Sequence, residues 1–133
     1  VSDPGYKLVT EALDEGVEVV SLPGASAMLA ALTASGLPSD SFLFAGFLPS
    51  KSAARKKVLE SYKALPATLI FYESPRRLVE TLKDMGDVFG HGRDAVMARE
   101  LTKKFEEILR LPLAGLVEEL EPREEIKGEV VVL

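Results

Sequence analysis

The chain has 133 residues, a formal net charge of −5 and 47% hydrophobic residues, which is typical of one folded domain or of two small parts of a larger protein. It contains no cysteine and one histidine, which excludes a disulfide framework, a thiolate metal site and a histidine cluster. No apolar run approaches the roughly 20 residues that span a bilayer, and no secretory leader opens the chain. We therefore expect a cytoplasmic protein without a metal centre or membrane contact.

The first residues predict a helix. Ser2 or Asp3 can cap it, and Pro4 suits its first position, where a proline loses no helical hydrogen bond. Apolar residues recur at helical spacing up to about Glu15. Because the chain begins with Val1 and this helix signal follows at once, we expect it to be a fragment of a longer protein.

The next segment predicts a strand, a tight turn and a second helix. The β-branched run 17–22 lies between a glycine and a proline, as strands often do. Ser26 then precedes a helix rich in alanine and leucine, which Gly36 closes. In an α/β layer ligands bind at the carboxyl ends of strands, so the turn 22–26 is a candidate binding loop. On spacing alone, a plain turn with a capping serine explains it better.

A polar turn at residues 37–41 predicts a domain boundary, which divides the chain into residues 1–38 and residues 39–133. The second part alternates strand and helix signals and predicts a second α/β layer. We expect strands over 42–47, 67–72, 95–99 and 105–111 and at the carboxyl terminus, with helices over 52–63, 75–85 and 113–120.

Charged residues follow two of the predicted strands. Glu73, Arg76 and Arg77 come after the strand that ends at Tyr72, and Arg99 and Glu100 come at the end of another. A glutamate that favours the helix dipole, beside solvated arginines, would explain the first group. For this group alone that plain explanation is favoured, but two such strand ends in one domain, together with a basic helix, strengthen the case for a charged cleft.

A basic run after the strand 42–47 predicts a helix that carries Lys51, Arg55, Lys56 and Lys57 without an acidic residue. Such a run is most often a solvated helix face. Lysine and arginine at this spacing also suit contacts with successive phosphates, so an RNA-binding surface is the alternative.

Five motifs, read in order, resemble the tetrapyrrole-methylase superfamily, and most closely its bacterial branch that methylates the ribose 2′-hydroxyl of a cytidine in small-subunit ribosomal RNA. They are SDPGY, LPGASA, GLPSDSFLFAGFLPSKSAARKK, TLIFYESPRRL and ARELTKKFEE, and the resemblance covers essentially the whole chain. It implies a tetrapyrrole-methylase-like α/β fold, made of the end of a first α/β domain plus a second α/β domain with a mixed sheet. It also implies S-adenosylmethionine between the domains, a homodimer, and small-subunit ribosomal RNA or the 30S particle as partner.

The resemblance assigns roles to several residues of this chain. The implied cofactor contacts are Val1, Ser26, Ala27, Glu73 and Leu101. The implied catalytic residues are Glu73, Glu100 and Arg99, and the implied RNA contacts are Lys51, Arg55, Lys56, Lys57, Arg76 and Arg77. The strands and the glycine-rich turn that precede SDPG in the family are missing here, so we expect this chain alone to be inactive.

Two other functions fit the same motifs. A methylase of a corrin or porphyrin precursor would share the fold and differ in its substrate. A non-catalytic RNA-binding or dimerisation module would use the same surface without chemistry.

Overall fold

The structure, a computed structural model, describes residues 5–133. The predicted caps Ser2 and Asp3 therefore lie outside the described residues. Five helices and five strands follow one another along the described chain, with a 3-10 turn at Pro75–Arg77. In chain order they are α1 Gly5–Asp14, α2 Ala27–Ser35, β1 Phe42–Phe47, α3 Ser52–Tyr62, β2 Thr68–Glu73, α4 Leu78–Phe89, β3 Asp94–Arg99, β4 Glu107–Pro112, α5 Leu113–Leu120 and β5 Val130–Val132.

The strands form one mixed sheet in the order β1-β2-β5-β3-β4. β1 and β2 are parallel, β5 is antiparallel to both β2 and β3, and β4 is antiparallel to β3. β1, β2 and β3 therefore run in the same direction and end at the same edge of the sheet, here called the carboxyl edge. The opposite side is the amino edge. The predicted α/β fold with a mixed sheet is confirmed.

The two faces of the sheet are covered differently. Helices α3, α4 and α5 cover one face, here called the helix face, where Leu59, Leu82 and Leu116 are completely buried. Removing such a side chain from water contributes about 1.5–3 kcal/mol. The other face, here called the α2 face, is covered by Ala31 and Leu32 of α2. The larger core thus lies under three helices, and a smaller one lies under α2.

Local signals fix the ends of α2 and its direction. The Ser26 side chain accepts a hydrogen bond from the Leu29 amide at 3.4 Å, and Gly36 ends the helix with a φ of 79°. Thr68 Oγ1, at the beginning of β2, donates to the Pro38 carbonyl at 2.6 Å. The carboxyl end of α2 is therefore tied to the amino edge, and Ser26 lies towards the carboxyl edge.

The prediction of a strand at 17–22 is wrong, because residues 17–26 have no regular secondary structure. Val20 and Leu22 are 69% and 85% exposed, and no strand of the described chain lies beside them. A strand needs a neighbour to accept its backbone hydrogen bonds. α1 buries none of its residues either. The predicted boundary near residue 38 stays a prediction.

Across residues 5–133, every helix is too short or too polar to cross a lipid bilayer.

Candidate functional site

The carboxyl edge brings the two predicted charged strand ends together. Val130 of β5 pairs with Glu73 of β2 on one side and with Arg99 of β3 on the other. Glu107 of β4 pairs with Arg99 and continues the row. Neighbouring strands in a sheet lie about 4.8 Å apart, so Glu73 and Arg99 are separated by one strand. The charged edge inferred from two separate sequence motifs is therefore a single row of residues.

The Glu73 side chain points to the helix face and is almost fully buried, at 3% exposure. One of its oxygens accepts from the Ser74 amide at 2.6 Å and from Arg77 at 2.6 and 3.0 Å. The other accepts from Thr81 Oγ1 at 2.8 Å. The carboxylate thus holds the start of the 3-10 turn and of α4, while the backbone of Glu73 remains at the carboxyl edge.

Arg55, the buried arginine of the basic run, forms internal ion pairs. Arg55 is 0% exposed, and its guanidinium donates to Asp84 at 2.7 Å and to Glu80 at 2.8 Å. Burial alone would lower the pKa of Arg55, but the hydrogen bonds to the two carboxylates raise it. The same side chain donates to the carbonyls of Pro49 and Ser50 at 3.4 and 3.2 Å. Arg55 therefore fixes the loop between β1 and α3 from the inside.

The predicted RNA-binding residues fall into two groups. Lys51, Lys57 and Arg76 are exposed, and their side chains form no hydrogen bond or ion pair with any residue of the described chain. Lys56 lies between Asp87, at 2.6 Å, and Asp84, at 3.4 Å, and its pKa is raised chiefly by the hydrogen bond to Asp87. Arg77 binds Glu73 and the Leu48 carbonyl. Lys56, Arg77 and the buried Arg55 therefore form the second group, in which the charge is already paired.

Lys51 and Arg76 lie in equivalent places, each just after one of two neighbouring strands. Lys51 follows the end of β1 and Arg76 follows the end of β2, and these two strands are parallel and adjacent. Both cations therefore lie at the carboxyl edge. Unpaired cations that follow adjacent strands are suited to bind an anion outside the edge.

Arg99 belongs to a carboxylate-centred cluster at this edge. Its Nε donates to Glu107 at 3.1 Å, and Arg123 donates to both oxygens of the same carboxylate at 2.9 Å. These contacts, those of Arg123 first, hold the pKa of Glu107 below its ordinary value. Arg99 also donates to the Lys127 carbonyl at 3.2 Å, which ties β3 to the connection before β5.

Glu100 turns the chain sharply out of β3. Its φ is 51°, in the left-handed region that residues other than glycine rarely adopt. Its carboxylate accepts from Lys103 at 2.8 Å and from the Glu129 amide at 2.9 Å, and the same two contacts, in that order, lower its pKa. The next residue, Leu101, is half-buried on the α2 face. Glu100 and Leu101 therefore lie on a turn that is held back against β5.

The proposed cofactor residues on the α2 face come from two segments. Ser26 and Ala27 begin α2, and Leu101 packs in the same apolar cluster as Met28. Glu73 contributes its backbone from the end of β2, whereas Val1 lies outside the described residues. The structure thus brings the segments of Ser26 and Leu101 to one face, with the Glu73 side chain on the other.

Sequence reasoning missed an aromatic group at the same edge. Tyr72 packs edge-on against Phe44 at 4.8 Å and Phe47 at 5.7 Å between ring centroids, and Phe47 is 57% exposed. Tyr72 was visible in the sequence at the end of a strand, next to Glu73. Its partners were hidden, because they belong to a strand more than twenty residues earlier in the chain.

Two cavities lie at opposite edges of the sheet. One, of about 610 Å³, lies beside the 3-10 turn and is lined by Ser74, Arg76, Arg123 and Lys127 among others. The other, of about 570 Å³, lies at the amino edge and is lined mainly by apolar residues with Asp40, Arg93 and Asp94. Of the predicted site residues, Arg76 lines the first cavity.

The sequence of residues 1–117 matches the protein family described as Tetrapyrrole (Corrin/Porphyrin) Methylases. Curated proteins named Ribosomal RNA small subunit methyltransferase I match nearly the whole chain. The protein from Mesorhizobium japonicum is 58% identical over 132 residues, covering 99% of this chain and 45% of the relative. The protein from Vibrio cholerae is 55% identical over 134 residues, covering 100% of this chain and 46% of the relative. The chain thus spans about half the length of these curated relatives.

Solved structures share the fold at lower identity. Diphthine synthase superimposes with a TM-score of 0.68 at 16% identity, covering 96% of this chain and 53% of that one. Uroporphyrin-III C-methyl transferase from Thermus thermophilus, complexed with S-adenyl homocysteine, gives a TM-score of 0.63 at 20% identity, and the match covers 99% of this chain and 59% of that one. The methyltransferase CobJ gives a TM-score of 0.65 at 24% identity, and the match covers 95% of this chain and 56% of that one. At these identities the likeness concerns the fold alone.

Proposed function

Because the chain belongs to the tetrapyrrole (corrin/porphyrin) methylase family, we propose that the whole protein is a methyltransferase that uses S-adenosylmethionine to methylate the ribose 2′-hydroxyl of a cytidine in small-subunit ribosomal RNA. The observation that carries this proposal is the 58% identity, over nearly the whole chain, to a protein named Ribosomal RNA small subunit methyltransferase I. Since the chain spans about half of such relatives, the activity is proposed for the whole protein, and the chain alone is expected to be inactive.

The proposed cofactor site lies on the α2 face of the carboxyl edge. Ser26 and Ala27 at the start of α2, Leu101 after β3 and the backbone of Glu73 are its proposed contacts within the described residues, and Val1 is proposed beyond them. A structural neighbour holds S-adenyl homocysteine, which supports a cofactor of this kind. S-adenosylmethionine supplies an electrophilic methyl group on a sulfonium, and the protein supplies its orientation.

The proposed reaction is an in-line attack of the ribose oxygen on the methyl carbon. An alcohol is a weak nucleophile, so the site has to align it and assist loss of its proton. Glu73 and Arg99 are proposed at the reaction centre, whereas Glu100, the third residue that the resemblance assigns to catalysis, is proposed to hold the turn beside it, since its carboxylate binds Lys103 and the Glu129 amide. The four donors around the buried Glu73 carboxylate favour a role in holding the start of α4 at the end of β2 over that of a proton acceptor.

The proposed RNA surface follows the unpaired cations of the carboxyl edge. Lys51, Lys57 and Arg76 are free to meet phosphates, and Lys56 lies beside them. Arg55 and Arg77, proposed from the sequence as direct contacts, are bound to carboxylates and to loop carbonyls. Their proposed contribution is therefore to hold the loop that carries Lys51.

The proposal also includes a homodimer and, because ribosomal RNA is the proposed substrate, a cytoplasmic location. Exposed apolar side chains such as Tyr6, Leu8 and Leu13 on α1 support burial of this segment against another surface in the whole protein. Light scattering on the whole protein measures its mass, and a monomer at micromolar concentration would contradict the dimer.

Mass mapping of methylated nucleotides tests the function. Small-subunit ribosomal RNA from cells that lack the whole protein should lose one 2′-O-methylcytidine, and the purified protein with S-adenosylmethionine should restore it. The same protein is incubated in parallel with a porphyrin precursor. Methyl transfer to the precursor, with unchanged RNA, would favour the alternative tetrapyrrole methylase. RNA binding without methyl transfer to either substrate would favour a non-catalytic module.

A further inference from the structure

The turn that carries Leu101 is held by a reciprocal contact with the start of β5. The Glu100 amide donates to the Glu129 carbonyl at 3.0 Å, and the Glu129 amide donates to the Glu100 carboxylate at 2.9 Å. Lys103 bridges the two carboxylates, at 2.8 Å from Glu100 and 3.0 Å from Glu129. We call Glu100, Gly128 and Glu129 the edge clip.

Gly128 is required for this contact on two grounds. Its φ is 96°, in the left-handed region that favours glycine. A Cβ at this position would also overlap the Glu100 side chain, including its carboxylate oxygen. A side chain at position 128 therefore displaces the carboxylate that the Glu129 amide binds.

The turn held by the edge clip is strained. Glu100 and Thr102 have φ values of 51° and 65°, and such residues persist when their surroundings determine the conformation. The Thr102 amide donates to Glu106 at 2.6 Å, which closes the turn on its far side. Leu101 lies between the two strained residues, so its position depends on the contact at Glu100.

We propose that the edge clip is a positioning device for the cofactor: Gly128 and the Glu100 carboxylate hold the turn that places Leu101, and so set the affinity for S-adenosylmethionine. This inference rests on the proposed function and extends it to Gly128, which lies in a different segment of the chain. In this role Glu100 acts through the backbone of the turn, not on the reacting proton.

The experiment compares Gly128→Ala with Gly90→Ala in the whole protein. Gly90 has a similar φ of 99°, and a Cβ added there would have no atom within 4 Å, so its substitution places a side chain at a positive φ without touching Glu100. We expect Gly128→Ala to raise KM for S-adenosylmethionine about tenfold, which corresponds to ~1.4 kcal/mol, with kcat within about threefold of the unsubstituted enzyme. Gly90→Ala should leave KM unchanged.

Substitutions at Glu100 supply a second readout. Glu100→Ala removes the acceptor of the Glu129 amide and should raise KM about as much as Gly128→Ala does. Glu100→Gln keeps an oxygen in that place and should restore KM to within about threefold. Calorimetry with S-adenosylhomocysteine checks that KM follows binding, and circular dichroism checks the fold of each variant.

The outcomes separate this inference from the proposed function. If the unsubstituted enzyme methylates RNA while Gly128→Ala and Glu100→Ala keep its KM for S-adenosylmethionine, the inference is overturned and the function stands. A large loss of kcat in Glu100→Gln at unchanged KM would overturn it too, since Glu100 would then act on the reacting groups. An unsubstituted protein that neither binds S-adenosylhomocysteine nor methylates RNA would overturn both.

Discussion

At the scale of single residues, Glu73 has two roles that a mutation can separate: its side chain holds the start of α4, and its backbone is a proposed cofactor contact. Its carboxylate accepts four hydrogen bonds inside the helix face, three of them from Ser74 and Arg77. We expect Glu73→Gln to lower the free energy of unfolding by about 1–3 kcal/mol, because hydrogen bonds between charged groups are lost from a buried site. Urea unfolding measures this change.

Glu118→Gln is the matched control for Glu73→Gln. Glu118 is exposed, and its side chain forms no hydrogen bond or ion pair with residues 5–133, so its substitution should change stability by less than about 0.5 kcal/mol. Equal stability of the two variants, together with loss of methylation in Glu73→Gln alone, would identify Glu73 as a reacting carboxylate instead.

The sequence could predict part of what Glu73 does. A glutamate before a proline-led turn indicates a favourable contact with a helix start, and the structure has that contact with the Ser74 amide. The contact with Thr81 was beyond reach, because it depends on how α4 lies across the sheet. The side chain's direction follows from alternation along β2, in which Phe71 and Glu73 share a face.

At the scale of elements, Arg55 joins α3 to α4. It is completely buried and pairs with Asp84 of α4. We expect Arg55→Ala to lower the free energy of unfolding by about 3 kcal/mol, because the buried carboxylate of Asp84 loses its guanidinium partner and keeps only Ser52 and the longer contact with Lys56. Lys57→Ala, on the exposed side of the same helix, should change it by less than about 0.5 kcal/mol. Similar urea midpoints for the two variants would contradict the buried pair.

The basic run illustrates where pattern reasoning fails. Composition predicted one positive surface from Lys51 to Lys57, since a run of cations carries no sign of which side chain points inwards. The structure buries Arg55, pairs Lys56 and leaves Lys51 and Lys57 free. The difference depends on Asp84, whose approach to α3 is set by tertiary packing. The segment 17–22 was misread for a related reason, since β-branched composition favours a strand without supplying a partner.

At the scale of the whole molecule, the proposed RNA surface predicts a salt effect. Lys51→Ala with Arg76→Ala should weaken RNA binding by the whole protein and reduce the slope of log affinity against log salt by up to about 2, because two phosphate contacts are lost. Cofactor affinity should not change. Lys63→Ala with Lys83→Ala removes the same charge from cations that are paired with Glu60 and Glu121, and should leave the slope unchanged. Equal slopes in both double variants would contradict the surface.

Acid should weaken the charged cluster at the carboxyl edge. The pKa of Glu107 is lowered in the folded state, first by Arg123, so its contribution to stability is present above the ordinary pKa of 4.5 and is lost as the pH falls through the lower folded value. Glu107→Gln should therefore destabilise the protein at pH 6 and matter less at pH 3. A difference in urea midpoint that is as large at pH 3 as at pH 6 would contradict this assignment.

The proposed function requires one edge of the sheet to receive both cofactor and RNA, and hydrogen exchange of the whole protein can locate both ligands. S-adenosylhomocysteine should protect amides in residues 25–29 and 99–103, and RNA should protect amides in residues 50–57 and 74–78. Peptides at the amino edge, around residues 64–68 and 90–94, should exchange as in the free protein. Protection at the amino edge, with an unchanged carboxyl edge, would show that both ligands bind elsewhere.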